Sequence, residues 1–230
     1  MSTREGWDRV FSRLDENSVG EDAWLERWWN LLEPDRDAPI LDLGCGAGED
    51  TRSLTRWGFR VVAADFSDKA LEATRKRAPR AETKNVDLTR GLPFHDDLFR
   101  VIIASLSLHY FPWLETVRIL EEVRRCLAPD GYLLVRLNST RDDHYAPADK
   151  EEIEPNFYLV DGYPKRLFDR QGVDALFATG WRVLNVEERA TKKYGSQKTL
   201  WEIVAKSEQV PRDKPEKSDD SQAPASNRKQ

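Results

Sequence analysis

Residues 40–48 read Ile-Leu-Asp-Leu-Gly-Cys-Gly-Ala-Gly: an apolar run that reaches Asp42 and then sets Gly44, Gly46 and Gly48 at alternate positions, with Cys45 between the first two. Glycine is required where backbone turns sharply or where a ligand must approach without a Cβ in the way. Between a strand and a helix, such a loop can hold a nucleotide-like ligand at the carboxyl edge of a sheet. The spacing is G-x-G-x-G, not the dinucleotide G-x-G-x-x-G. Two more acids stand where the same ligand would reach. Asp65 closes Val-Val-Ala-Ala-Asp, where a carboxylate can accept hydrogen bonds from both ribose hydroxyls; an acid stabilised by a helix dipole is the plainer alternative. Asp87, in Asn-Val-Asp-Leu, holds the matching place after a third strand, with a turn aspartate as its alternative. Glu49 and Asp50 open the helix after the loop. A negative first turn suits a helix but repels a diphosphate, and it does not repel a cation.

The apolar run at 100–106 leads into Ser105-Leu106-Ser107-Leu108-His109-Tyr110-Phe111, which a parallel sheet would place beside the ligand crevice. His109 has the ordinary pKa of a general base; a packing histidine is the alternative. Past the next strand, Asn138, Arg141 and Asp142, together with Tyr110, Arg136, His144 and Tyr145, could recognise a polar substrate. Phe157, Tyr158 and Tyr163 could form an aromatic wall.

These residues need a scaffold, and the hydrophobic pattern supplies one. Strands are expected at 39–43, 60–64, 82–86, 100–106 and 132–137. Helices are expected at 49–57, ended by Gly58, and at 68–77, capped by Ser67. Pro112 is expected at the first helical position of a helix that turns Leu114, Val117, Ile119, Leu120, Val123 and Leu127 inward. Residues 139–163 show no clean period and read as a substrate lid. A helix is expected over 165–179, then strands at 181–186 and 200–205 paired antiparallel. Upstream, Trp24, Leu25, Trp28, Trp29, Leu31 and Leu32 recur at helical spacing and read as core or cofactor cover. The expectation is an α/β, doubly wound, mostly parallel seven-stranded sheet ending in an antiparallel hairpin. Its organisation would be a helical cap at 1–37, a ligand-binding domain at 38–207 and a disordered, Pro- and Lys-punctuated tail at 208–230.

The glycine loop with Asp42, Asp65 and Asp87, and the Leu-His-Tyr-Phe ending of the fourth strand, resemble the class I S-adenosylmethionine (SAM)-dependent methyltransferases, and among them the bacterial small-molecule enzymes of ubiquinone/menaquinone and tellurite-resistance type. The resemblance covers residues 38–206 and implies the Rossmann-like fold and SAM as cofactor. It implies that Asp65 holds the ribose, that Asp87 accepts from the adenine amino group, and that Phe66 and Leu88 pack on the ring. Asp42 would orient the loop toward the methionine end, and Ser105 would lend backbone there. Trp7 and Arg9 would fold over the cofactor. The implied reaction is in-line methyl transfer to a small molecule, giving S-adenosylhomocysteine. A protein side chain as substrate and a non-catalytic SAM-binding role stay open. An amino-methylating nucleic-acid enzyme is disfavoured, because the Asn/Asp-Pro-Pro-Tyr-like ending is missing. An NAD oxidoreductase is disfavoured by the glycine spacing and the two acids.

Composition agrees. The formal charge is −5, which argues against a nucleic-acid partner. Two cysteines and three scattered histidines make no metal signature and no disulfide framework. No run approaches the length of a membrane helix, and a reducing, cytoplasmic setting without a membrane partner is expected. The residues leave the oligomeric state open.

Overall fold

The computed structural model describes residues 3–13, 23–142, 150–192 and 197–208. Seven strands form one sheet: β1 (Ile40–Leu43), β2 (Val61–Asp65), β3 (Glu82–Asn85), β4 (Phe99–Ser105), β5 (Leu127–Asn138), β9 (Trp181–Thr191) and β10 (Lys198–Ser207). Their spatial order is β3-β2-β1-β4-β5-β10-β9, with β10 antiparallel to both neighbours and the other neighbouring pairs parallel. This is a Rossmann-like sheet with an antiparallel hairpin at its end, as the pattern of strands and helices predicts. The order reverses between β1 and β4, and there the carboxyl ends of the strands open a crevice.

Side-chain alternation explains why the central strands are mostly apolar on both faces. In β4, Ile102 and Ala104 join one core cluster while Val101 and Ile103 join the other. In β1, Leu41 and Leu43 point to the first cluster and Ile40 to the second. A strand covered on both faces cannot alternate polar with apolar. The first face is covered by α5 (Trp113–Cys126), through Ile119, Leu120 and Val123, and by α6 (Arg170–Leu176), through Val173 and Leu176. The second is covered by α3 (Glu49–Arg56), through Leu54, and by Trp24, Leu25 and Leu32. These last three lie on a 3-10 turn at Ala23–Trp28 and on α2 (Trp29–Leu32), so the tryptophan stripe is core. Each such side chain contributes roughly 1.5–3 kcal/mol on burial.

α4 (Asp68–Arg77) starts as expected, with the Ser67 hydroxyl accepting from the Ala70 N–H. Several boundaries differ from the pattern. Pro112 sits at the N-cap with extended ψ, one residue before α5, and Leu114 faces solvent at 71% exposure. Leu127 is buried but already belongs to β5. Residues 129–131 do not end that strand. Asp130 takes φ 62° and the register with β4 shifts, so the turn is absorbed as a bulge. The expected helix over 165–179 is shorter because Tyr163–Arg166 (β8) pairs antiparallel with Phe157–Val160 (β7), and β7 pairs with Glu152–Glu154 (β6). This three-stranded sheet occupies the end of the stretch read as a structureless lid. Before all of these lies α1 (Arg4–Arg13). Among the described residues, no helix is long and apolar enough to cross a membrane.

Candidate active site

A cavity of about 510 Å³ opens at the carboxyl ends of β1, β2 and β4. The glycine loop forms its floor. Gly44 takes φ +74°, and a Cβ there would stand 2.3 Å from the Ser107 Cβ, so the backbones of the β1 and β4 ends meet only because this residue has no side chain. The Ser107 hydroxyl donates to the Leu43 carbonyl at 2.7 Å and holds that meeting. Gly46 takes φ +56°. Its carbonyl accepts from the Thr74 hydroxyl on α4, and its N–H donates to Asp65 Oδ2 at 2.9 Å.

Asp65 ends β2 at the cavity edge. Its Oδ1 accepts from the Ser67 N–H at 2.9 Å. A carboxylate has about four lone-pair sites, so acceptor capacity remains for a ligand beside the Ser67, Gly46 and Phe66 N–H groups. Burial raises its pKa, against the lowering effect of the Ser67 and Gly46 N–H groups. Asp42 is buried at 2% exposure and accepts from the Thr51 hydroxyl. Asp50 accepts from Trp24 Nε1 at 3.0 Å, and Glu49 pairs with Arg77. Asp87 caps a 3-10 turn through the Thr89 N–H and hydroxyl and pairs with Arg90 at 3.3 Å. Its turn role and its place on the cavity wall coexist.

The cavity is lined by Asp42, Gly44, Cys45, Gly46, Asp65, Phe66, Asp87, Leu88, Ser105 and Tyr110, which sequence reasoning had picked from separate segments. Cys45 lines it as a thiol, since burial, with Asp65 and Asp42 nearby, pushes its pKa well up. Other expected residues fall elsewhere. Gly48 does not line the cavity; its φ of +85° starts α3, and a Cβ there would meet Thr74 Oγ1 at 2.8 Å. His109 does not line it either. It is 2% exposed and packs against Tyr110 with ring centroids 4.1 Å apart. Its Nδ1 has no hydrogen-bond partner, and burial holds its pKa well below the ordinary value, with Lys165 and Lys198 adding to the effect. In this structure the imidazole of His109 therefore packs behind the cavity and does not face it.

The residues expected after β5 also lie outside the cavity lining. Arg136 is buried, donates to Ser105 Oγ at 2.8 and 2.9 Å and lies 4.5 Å over the Trp24 ring. It supports a lining residue and does not itself line the cavity. Asn138 is tied into backbone bonding with Phe168, and Arg141 pairs with Glu188 at 2.9 Å. Asp142 is buried. These contacts carry the chain toward β9 and away from the crevice. Tyr145 and His144 lie outside the described residues.

The opposite wall comes from segments that carried little or no motif. Trp7 and Phe11 on α1, Phe111, Pro112 and Glu115 around the start of α5, and Ile153, Phe157 and Pro164 on the small sheet all line it. Trp7 meets Tyr110 edge-on at 4.7 Å and Tyr163 at 5.2 Å, while the Tyr163 hydroxyl donates to the Gly6 carbonyl. Asp8 accepts from the Ser67 hydroxyl and the Lys69 N–H, fixing α1 to the start of α4. Arg9, expected beside Trp7, does not line the cavity. Leu106, also on the wall, takes φ +57°, a strained value for a leucine.

Residues 40–131 match the model of a methyltransferase domain. A malonyl-(acyl-carrier protein) O-methyltransferase from Halorhodospira halophila is 35% identical over 138 residues, covering 57% of this chain and 46% of that protein. A demethylmenaquinone methyltransferase from Clavibacter sepedonicus is 35% identical over 137 residues, covering 56% and 55%. The chain spans about half the length of the curated relatives it matches. In fold it resembles a SAM-dependent methyltransferase from Methanosarcina mazei, with a TM-score of 0.67 and 22% identity, covering 79% of this chain and 96% of that one.

Proposed function

We propose that this chain, whose residues 40–131 match a methyltransferase domain, is a class I SAM-dependent methyltransferase that binds SAM in the crevice and methylates a small molecule. The observation that carries this reading is the convergence on one cavity of Asp42, the Gly44–Gly46 backbone, Asp65 and Asp87. The cavity suits the cofactor chemically. Its volume lies in the range of small-molecule sites. The unused lone pairs of Asp65 suit a ribose diol, and Phe66, Val86 and Leu88 offer apolar faces to a purine beside Asp87. Glu49 and Asp50 at the α3 start disfavour a diphosphate and accommodate a cation. Bound there, SAM supplies a methyl group on a cationic sulfur.

The protein's own part is placement and exclusion of water. The Ser107–Leu43 bond and the side-chain-free Gly44 fix the floor. Arg136 fixes Ser105 from behind. α1, held by Asp8 and the Trp7 aromatic cluster, covers the open side. Placement of this kind can supply much of a methyl-transfer barrier, because a nucleophile aligned with the methyl needs little further help. With His109 off the cavity, the reading assigns no general base to it.

The direct test is release of S-adenosylhomocysteine from protein and SAM in the presence of a panel of quinols, phenols, amines and thiols. Acceptor-dependent release above the acceptor-free rate is expected. A rate that no acceptor raises, in protein shown to bind SAM, would favour a binding role without turnover.

A further inference from the structure

The cavity's charges all have one sign. Its described lining includes Asp42, Glu49, Asp50, Asp65, Asp87 and Glu115, and no lysine, arginine or histidine. Basic side chains next to the lining are engaged elsewhere: Arg77 with Glu49, Arg90 with Asp87, Arg166 with Glu154 behind the Phe157 ring, Arg136 with Ser105 and the Trp24 ring, and Arg4 with Asp68 over the Phe66 ring.

The acids fall into two groups. Asp42 and Asp65 lie at the ends of β1 and β2, Glu49 and Asp50 open α3, and Asp87 follows β3, the half assigned above to the cofactor. Glu115 stands apart from them in sequence, on the first turn of α5, and lines the same cavity as the aromatic rings of Trp7, Tyr110, Phe111 and Phe157. Its carboxylate is 25% exposed, and its ion pair, with Arg118, is loose at 3.9 Å. An aromatic wall with a single carboxylate attracts a cation through both ring faces and charge. The same site disfavours an anion, which would meet the Glu115 carboxylate, with only its loose Arg118 pair, and no basic side chain in the described lining.

Resting on the methyltransferase reading, we propose that the acceptor is an apolar or aromatic molecule bearing a basic nitrogen, with Glu115 as the residue that positions that nitrogen. Acceptors carrying a carboxylate or phosphate at this end are excluded by the field of the cavity. Glu115 acts in recognition; its carboxylate accepts the N–H hydrogen bond and orients the nitrogen.

Calorimetric titration of the full chain saturated with S-adenosylhomocysteine tests this. The probes are 2-naphthylmethylamine, 2-naphthalenemethanol and 2-naphthoate, which share a ring system and differ in charge. The amine should bind at least about tenfold more tightly than the carboxylate. Glu115→Gln should shrink that ratio to about threefold or less while changing the alcohol's affinity by less than about twofold, a readout that general unfolding would not give. The proposal is overturned if the carboxylate binds as well as the amine, if the amine does not bind the loaded protein, or if Glu115→Gln leaves the ratio unchanged. Failure of S-adenosylhomocysteine itself to bind is a different result. It overturns the methyltransferase reading and this inference with it, whereas loading without amine preference overturns this inference alone.

Discussion

Asp65→Asn separates a binding residue from a structural one. In the free protein the carboxylate accepts two backbone N–H groups at 2.9 Å, yet burial still raises its pKa. The charge is therefore held against its own desolvation, and those two hydrogen bonds do not fully offset it. Asparagine loses one charge-assisted bond and sets its NH2 against the Gly46 or Ser67 N–H, but it also loses the cost of burying a charge. These effects partly oppose each other, so stability should fall by no more than about 1–2 kcal/mol, a shift of roughly 2–8 °C for a domain of this size. Affinity should behave otherwise. A ribose diol would give two hydrogen bonds to a charged acceptor, each worth about 1.5–3 kcal/mol. The amide keeps one neutral acceptor, so the loss should be about 2–4 kcal/mol, or roughly 30- to 700-fold in Kd. Differential scanning calorimetry and SAM titration of the same preparations measure both. A variant that melts much earlier yet binds SAM normally would refute the reasoning and make Asp65 a loop brace. The sign with pH follows. Ribose donors favour the charged form, so SAM affinity should fall as pH drops through the raised pKa of the free protein, and it should be flat in Asp65→Asn.

Gly44→Ala should destabilise by about 2–4 kcal/mol, since it adds both a disfavoured φ and a 2.3 Å approach to the Ser107 Cβ. Adding Ser107→Gly should recover only the clash, which urea melts of the four-member cycle would resolve, and full recovery would show that the φ carries no cost. His109 has a folded pKa held well below its ordinary value, so it stays neutral while the unfolded chain takes up a proton. Stability should therefore decline as pH falls below about 6.5, and His109→Gln should flatten that limb of the curve; an unchanged limb would show that the imidazole is not buried neutral. Trp7→Ala removes the ring that joins α1 to Tyr110 and Tyr163. It should speed amide hydrogen exchange in residues 4–13 at least about tenfold and weaken SAM binding, whereas unaltered exchange would mean that the Asp8 contacts alone hold the helix.

What the chain spells out locally is the floor of the site. Gly44 and Asp65 answer to backbone geometry and to a place at a strand end, both visible as residue type and spacing. The opposite wall was legible only in part: Trp7 was expected over the cofactor and Phe157 in an aromatic wall, but Glu115 carries no motif, and the three come from distant segments brought together only by tertiary packing. One signal was available. Asp161-Gly162, with φ of 51° and 81°, is a two-residue hairpin turn flanked by the short strands β7 and β8. Read as such, it places Phe157 and Pro164 on a sheet and shortens the expected helix, whose true start is marked by Asp169 accepting from the Gly172 N–H. Asn138 and Arg141 fall outside the cavity lining for a related reason. A polar cluster at a strand end looks like a substrate site, but Phe168 and Glu188 draw this one to the hairpin side of the sheet.

The central claim is that the crevice is built for SAM. Isothermal titration of the protein with SAM, S-adenosylhomocysteine and NAD in parallel tests it most directly. The account predicts micromolar binding of the first two, at about −8 kcal/mol, and no binding of NAD, whose diphosphate would face Glu49 and Asp50. A folded, monodisperse protein that binds NAD, or that binds neither SAM nor S-adenosylhomocysteine, would contradict it.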